Sequence, residues 1–224
     1  MRAAFSMFDI VRLDHFRGFE AYWEVPGQDQ TAVRGRWVKG PGASLFDALT
    51  AALGPMPIVA ENLGLITPEV EALRARMDYP GMSILQFAFG ADGAGKEFQP
   101  HTYPQERVVY TGTHDNDTTV GWWTSDDIGD STRTRLEIDN EHAFARRYLD
   151  ADGTEIHWTL MRAALASVAD TVIIPLQDIL GLGSDARMNF PGRSSGNWTF
   201  RFTWDQLTPD IVTRLRELVK LYDR

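Results

Sequence analysis

Short apolar runs of strand length, each running into a polar residue, constrain this chain more than any other feature. They are Phe8 to Leu13 (FDIVRL) before Asp14, Met56 to Ala60 (MPIVA) before Glu61, and Met82 to Phe89 (MSILQFAF), which holds Gln86 near its end. Two more follow: Val108 to Gly112 (VVYTG) before His114 and Asp115, and Thr171 to Leu176 (TVIIPL) before Gln177 and Asp178. Nearly continuous apolarity over so few residues predicts strands buried on both faces of a parallel sheet. Helical stretches lie between them. Thr67-Pro68-Glu69 reads as an N-cap, an N1 proline and a first-turn acid ahead of Val70, Leu73 and Met77, and Thr208-Pro209-Asp210 repeats the device ahead of Ile211, Leu215, Leu218 and Leu221. Leu45, Leu49 and Leu53 mark a further stripe, as do Ile156, Leu160 and Ala164.

Strand and helix therefore alternate, which predicts βα units around a parallel sheet, doubly wound or barrel-shaped. No GxGxxG or GxxxxGK follows any run, so the nucleotide-binding versions of such a sheet lose support. Polar residues gather at the C-terminal ends of the runs, the edge at which a (β/α)8 TIM-type barrel carries its active site. With about five strands to count, the chain reads as part of such a barrel. Gly90 to Gly95 (GADGAG) is the stretch with the most flexible composition.

Composition narrows the function. Twenty-two basic against thirty-one acidic residues give a formal charge of −9 with no Lys/Arg cluster, which argues against nucleic acid and anionic membranes as partners. No run approaches the roughly 18 apolar residues that cross a bilayer, and the start lacks a secretory pattern, so a cytoplasmic location is expected. The absence of cysteine removes disulfides, thiolate metal sites and cysteine nucleophiles. Seven tryptophans and nineteen glycines, the latter often beside Trp, Pro or acids, suit loops built around a ligand.

Asp14 and Glu61 end two of the runs, and neighbouring barrel strands would set their carboxyls close together. Facing carboxyls suit acetal chemistry: one attacks or steadies an anomeric carbon while the other, protonated, donates to the leaving oxygen. Arg12 lies on the same side of its strand as Asp14 and supplies a counter-charge. Carboxyls at strand ends also serve as helix caps and structural ion pairs. His114-Asp115-Asn116-Asp117 is the densest polar cluster; Asp115 fits a functional role, Asn116 a structural Asx turn, and Asp117 or Thr118 a cap for the helix carrying Trp122 and Trp123. A metal site drawn from His15, His114, Asp14, Asp115 and Asp117 lacks any HExxH, HxH or EF-hand spacing. His101, His142 and His157 read as surface or loop residues. Aromatic side chains in polar, glycine-rich settings stack on pyranose faces, and Tyr22 and Trp23, close behind Asp14, fit such a cleft best; for most of the tryptophans core packing is the simpler role.

With these residues in view, the chain resembles the 4-α-glucanotransferases called amylomaltases or disproportionating enzymes, of the α-amylase clan. The matching stretches are FDIVRLDHFRGFEAYWEVP, GRWVKGPG, IVAENLGLITPEVEALR, PGMSILQFAF, VVYTGTHDNDTTVGWW, LASVADTVIIPLQDILGLGSDARMN and PGRSSGNW, in family order from near residue 8 to about residue 202. The resemblance implies that Asp14 is the nucleophile, Glu61 the general acid/base and Asp115 the third carboxylate, with Arg12, His114, Trp23 and Asn189 holding sugar. It implies transfer of an α-1,4-glucan segment to the 4-hydroxyl of an acceptor by double displacement with retention, without cofactor or metal. Asn62 stands where the family usually has aspartate and is expected to point away from the face of Glu61; His101-Thr102-Tyr103 stands where His-Asn-Tyr is usual.

The match covers the C-terminal part of the family enzyme, so residues 1–224 are expected to be about the last five βα units of the barrel. An open half barrel would leave sheet edges and apolar interior uncovered, and a chain of this kind is expected to be inactive or to aggregate alone. Two further readings remain: an α-glucan hydrolase of the same clan, and a non-catalytic glucan-binding fragment that needs an N-terminal partner.

Overall fold

A computed structural model describes residues 1–90, 95–124 and 134–224. Most of the GADGAG stretch, residues 91–94, lies outside the described residues. The chain divides into two compact units, residues 1–82 and 83–224.

The first unit runs α1 (Arg2–Phe5), β1 (Val11–Leu13), β2 (Ala21–Glu24), β3 (Arg36–Lys39), α2 (Ala43–Leu53), β4 (Ile58–Ala60) and α3 (Pro68–Arg76). β1 and β4 pair in parallel, Val11 opposite Ile58 and Leu13 opposite Ala60. Their apolar runs are longer than the strands. Phe8 and Ile10 stay exposed and outside the ladder, so the run marks the strand without fixing its length. The core joins Phe16, Phe46, Ile58, Ala60, Val70, Leu73 and Tyr79, with the rings of Phe16, Phe46 and Tyr79 5.5–6.2 Å apart. Burying each such aromatic stabilises the unit by about 1.5–3 kcal/mol. On α2 the buried residue is Phe46, flanked by Leu49, while Leu45 and Leu53 are only half-buried. α3 starts as read, at Thr67-Pro68, but the Thr67 side chain makes no cap bond; proline at N1 and acids in the first turn do the work.

β2 and β3 form an antiparallel hairpin, with Trp23 opposite Trp37 and Glu24 opposite Arg36. The sequence marks Tyr22 and Trp23 as cleft candidates and carries no strand signal at either segment. Both are four residues long with mostly exposed or half-exposed side chains, so no buried face left an apolar trace.

The second unit carries β5 (Met82–Ile84, starting at the boundary), β6 (Val108–Tyr110) and β7 (Thr171–Ile173), in sheet order β5-β6-β7, with β6 and β7 parallel. Helices α4 (Thr119–Thr124), α5 (Arg135–Leu149), α6 (Ile156–Leu165), α7 (Leu176–Ile179) and α8 (Pro209–Leu221) complete it. The expected strand Met82 to Phe89 is a strand only to Ile84; Leu85–Phe89 winds into a 3-10 turn. The expected strand Thr171 to Leu176 stops at Ile173, because Pro175 caps α7. α6 is buried on two sides: Ile156, Leu160 and Ala164 join the cluster of Leu85, Phe89, Val109 and Trp122, while Trp158, Met161 and Leu165 meet Leu218 of α8. The α8 stripe fades at its end, where Leu221 is exposed. His142 and His157, read as surface or loop residues, sit on α5 and α6; His142 stacks on Trp123 at 4.2 Å, and burial holds the His157 imidazole below its ordinary pKa.

The fold is thus mixed α/β with parallel strand pairs. Among the described residues no helix is long and apolar enough to cross a membrane.

Candidate active site

The expected site residues fall on both units. Arg12, Asp14, Trp23 and Glu61 belong to residues 1–82, and His114, Asp115 and Asn189 to residues 83–224.

In the first unit the β1–β4 ladder sets Asp14 and Glu61 side by side. Each is the residue after a paired strand end, and the pairing continues past the strands: Glu61 N donates to Leu13 O at 2.9 Å and Phe16 N to Glu61 O at 3.0 Å. Arg12 Nη2 meets Asp14 Oδ1 at 2.9 Å, and its Nε donates to Met82 Sδ at 3.2 Å. The Asp14 side chain is otherwise open, 76% exposed, whereas Glu61 is buried at 9%. Two backbone amides fix the Glu61 carboxyl: His15 N donates to Oε2 at 2.7 Å and Leu63 N to Oε1 at 2.8 Å. His15 adopts left-handed backbone angles (φ 48°, ψ 50°) as the chain leaves β1 for a 3-10 turn over Phe16–Phe19. Next to Glu61, Asn62 is buried; its Oδ1 accepts from Met82 N at 2.9 Å and its Nδ2 donates to Glu71 Oε1 at 2.6 Å. Aspartate there would lose the donor and face the Glu71 carboxylate.

Trp23 stands on the hairpin, its ring 5.3 Å from that of Trp37 and its Nε1 donating to Ala32 O at 2.8 Å. The Arg17 guanidinium covers Trp37 at 4.0 Å.

In the second unit the TGTHDNDTT turn divides its labour. Asn116 Oδ1 accepts from both the amide and the hydroxyl of Thr113 at 2.8 Å, an Asx-type closure. Thr118 Oγ1 accepts from Gly121 N at 2.9 Å and caps α4, while Asp117 accepts from Thr118 N at 2.8 Å and from Ser184 Oγ at 2.7 Å. The Asp115 side chain is half-exposed. Asn189 Nδ2 donates to its Oδ1 at 2.5 Å, and His114 Nε2 lies 3.4 Å from its Oδ2. Arg187 locks this arrangement by donating to Asp115 O at 2.7 Å and to Asn189 O at 2.8 Å. Burial draws the pKa of Arg187 down, opposed by the charges of Asp117 and Asp115. Below the turn, Asp178 is 1% exposed and accepts from the Thr111 hydroxyl at 2.5 Å and from Thr119 N at 2.7 Å.

Arg187 and Asp178 were not singled out as site residues by the sequence. Their signal was positional: both follow the last apolar run, within the same string as Asn189. A cleft of about 220 Å³ beside the turn is bordered by His114, Asp117, Arg187, Met188 and Trp198. A larger one, about 580 Å³, lies against α6 and α8 and is bordered by none of the expected site residues. Among the described residues no group of three His, Asp or Glu side chains converges as metal ligands.

Carboxyls placed directly after two neighbouring parallel strands, as Asp14 and Glu61 are in the first unit, are of the residue type that nucleophilic and general acid/base chemistry uses in α/β proteins. The chain belongs to the glycoside hydrolase 77 family, described as 4-alpha-glucanotransferase, whose model matches residues 1–208. It is 49% identical over 232 residues to a 4-alpha-glucanotransferase of Thermus thermophilus and 50% identical over 226 residues to one of Synechocystis. Both alignments take in all of this chain but 44% and 42% of those relatives. An amylomaltase of Streptococcus agalactiae, solved in complex with acarbose, superposes with a TM-score of 0.88 at 36% identity, over all of this chain and 43% of that one. The chain therefore spans less than half the length of these relatives.

Proposed function

We propose that residues 1–224 carry the reacting carboxyls of a 4-α-glucanotransferase and form the C-terminal part of its (β/α)8 barrel, about the last five βα units. The substrates are α-1,4-glucans, and the setting is cytoplasmic. The observation that carries this reading is the register of β1 on β4, which makes Asp14 and Glu61 equivalent neighbours at one strand edge. Asp14, open apart from Arg12, attacks the anomeric carbon and forms a glucosyl ester. Glu61 gives its proton to the departing 4-oxygen, then takes a proton from the 4-hydroxyl of the acceptor, whose oxygen displaces Asp14 and restores the original configuration. The amides of His15 and Leu63 hold the Glu61 carboxyl in one orientation through both steps. Asp115, oriented by Asn189 and His114, binds sugar hydroxyls, and Trp23 offers an apolar face.

The test is maltotriose disproportionation by the protein as its organism makes it, with products separated by chromatography. Wild type is expected to yield glucose together with longer maltodextrins, and Asp14→Asn and Glu61→Gln to lose at least a thousandfold in rate. Release of reducing sugar without longer chains would make the protein a hydrolase. Glucan binding with no turnover, unchanged by Asp14→Asn, would make it a binding module.

A further inference from the structure

Trp198 has left-handed backbone angles, with φ 61°, a conformation in which Cβ crowds the backbone and a bulky residue is an outlier. The surrounding loop imposes it. Asn197 clasps residues 190–197, its Oδ1 accepting from Phe190 N at 2.9 Å and its Nδ2 donating to Arg193 O at 3.0 Å. Gly192 and Gly196 turn the chain with φ of 86° and 80°, and Trp198 N closes onto Met188 O at 2.8 Å. This strained, clasped loop does not bury its tryptophan: Trp198 is 57% exposed. Its ring lies 5.1 Å from that of His114, tilted by 38°, on the border of the cleft beside the TGTHDNDTT turn.

Strain held at an exposed aromatic beside a cleft is characteristic of a ligand clamp, whereas a packing role would have buried the indole. We infer that Trp198 determines glucan affinity and specificity, its indole stacking on the apolar face of a glucose ring whose neighbour His114 and Asp115 hold. The inference rests on the glucanotransferase reading above.

Glycine is the decisive substitution, because it adopts φ near +60° without strain and so removes the ring while sparing the loop. In the protein as its organism makes it, Trp198→Gly is expected to keep or raise Tm while KM for maltotriose rises about tenfold, the size of a lost aromatic contact. Trp198→Phe, strained like the wild type but still bearing a ring, should fall between the two in KM. Unchanged KM in Trp198→Gly, with transfer intact, overturns the inference and leaves the glucanotransferase reading standing. If Trp198→Gly loses both Tm and affinity, Trp198→Phe decides: recovery of KM supports stacking, and no recovery assigns the indole to packing. A wild type that neither binds nor transfers glucan overturns both.

Discussion

Asp178 shows how a single buried carboxyl ties the polar turn to the scaffold. Burial raises its pKa above the ordinary carboxyl range, the hydrogen bonds from Thr111 and Thr119 oppose this, and the charge of Asp117 adds to it. A carboxyl that holds its proton more tightly folded than unfolded contributes stability below the unfolded value, and that contribution is lost as pH rises through the folded one. Asp178→Asn keeps an acceptor for Thr119 N and can donate to the Thr111 oxygen. Its Tm is therefore expected to gain on that of wild type as pH climbs from 3 to 7. Parallel curves for the two proteins would dissociate Asp178 from the pH response. His15 is a second residue whose backbone matters. A β-branched side chain is costlier still in the left-handed region, so His15→Val should lower both Tm and kcat by loosening the amide on Glu61. His15→Asn, which tolerates that region, should lose far less in each. Equal behaviour of the two would assign the effect to the imidazole.

Among the elements, α4 depends on its cap. It is six residues long, too short to hold itself together, and Thr118 supplies the acceptor at its start. Thr118→Ala is expected to cost about 1 kcal/mol and Thr118→Ser much less, read as denaturant midpoints at constant m. The cap was legible in the sequence, as was the position of Asp14 and Glu61 directly after β1 and β4 and of Asp115 in the turn after β6, because strand-length apolar runs and Thr-Pro starts are local signals. Other elements left no such signal. The β2–β3 hairpin buries too little to imprint a pattern. α5 was missed because its inward face includes Glu141 beside Ile138 and Ala145, which breaks the apolar stripe. Strand lengths were overestimated wherever a run continued into a turn, as at Leu85 and Pro175. Arg187 was not legible as a site residue because its bonds reach backbone carbonyls, and a sequence records no acceptor of that kind.

At the scale of the whole molecule, apolar side chains outside the cores set the behaviour. Met7, Phe8 and Ile10 are 60–68% exposed within four positions, and Leu65 is 80% exposed. Such surface promotes association, while the −9 charge opposes it. Residues 1–224 expressed alone are expected to self-associate at micromolar concentration in sedimentation velocity runs, more strongly in high salt. Phe8→Ser with Ile10→Ser should reduce this, and a wild type that stays monomeric at all salt concentrations would contradict the expectation. The β1–β4 register has a further consequence. The amides of Phe16 and Glu61 are rungs of that one ladder, and the amide of His15 rests on the carboxyl it positions. All three should exchange with deuterium through a single opening event, so their common protection would report how often the two carboxyls drift apart in the resting protein.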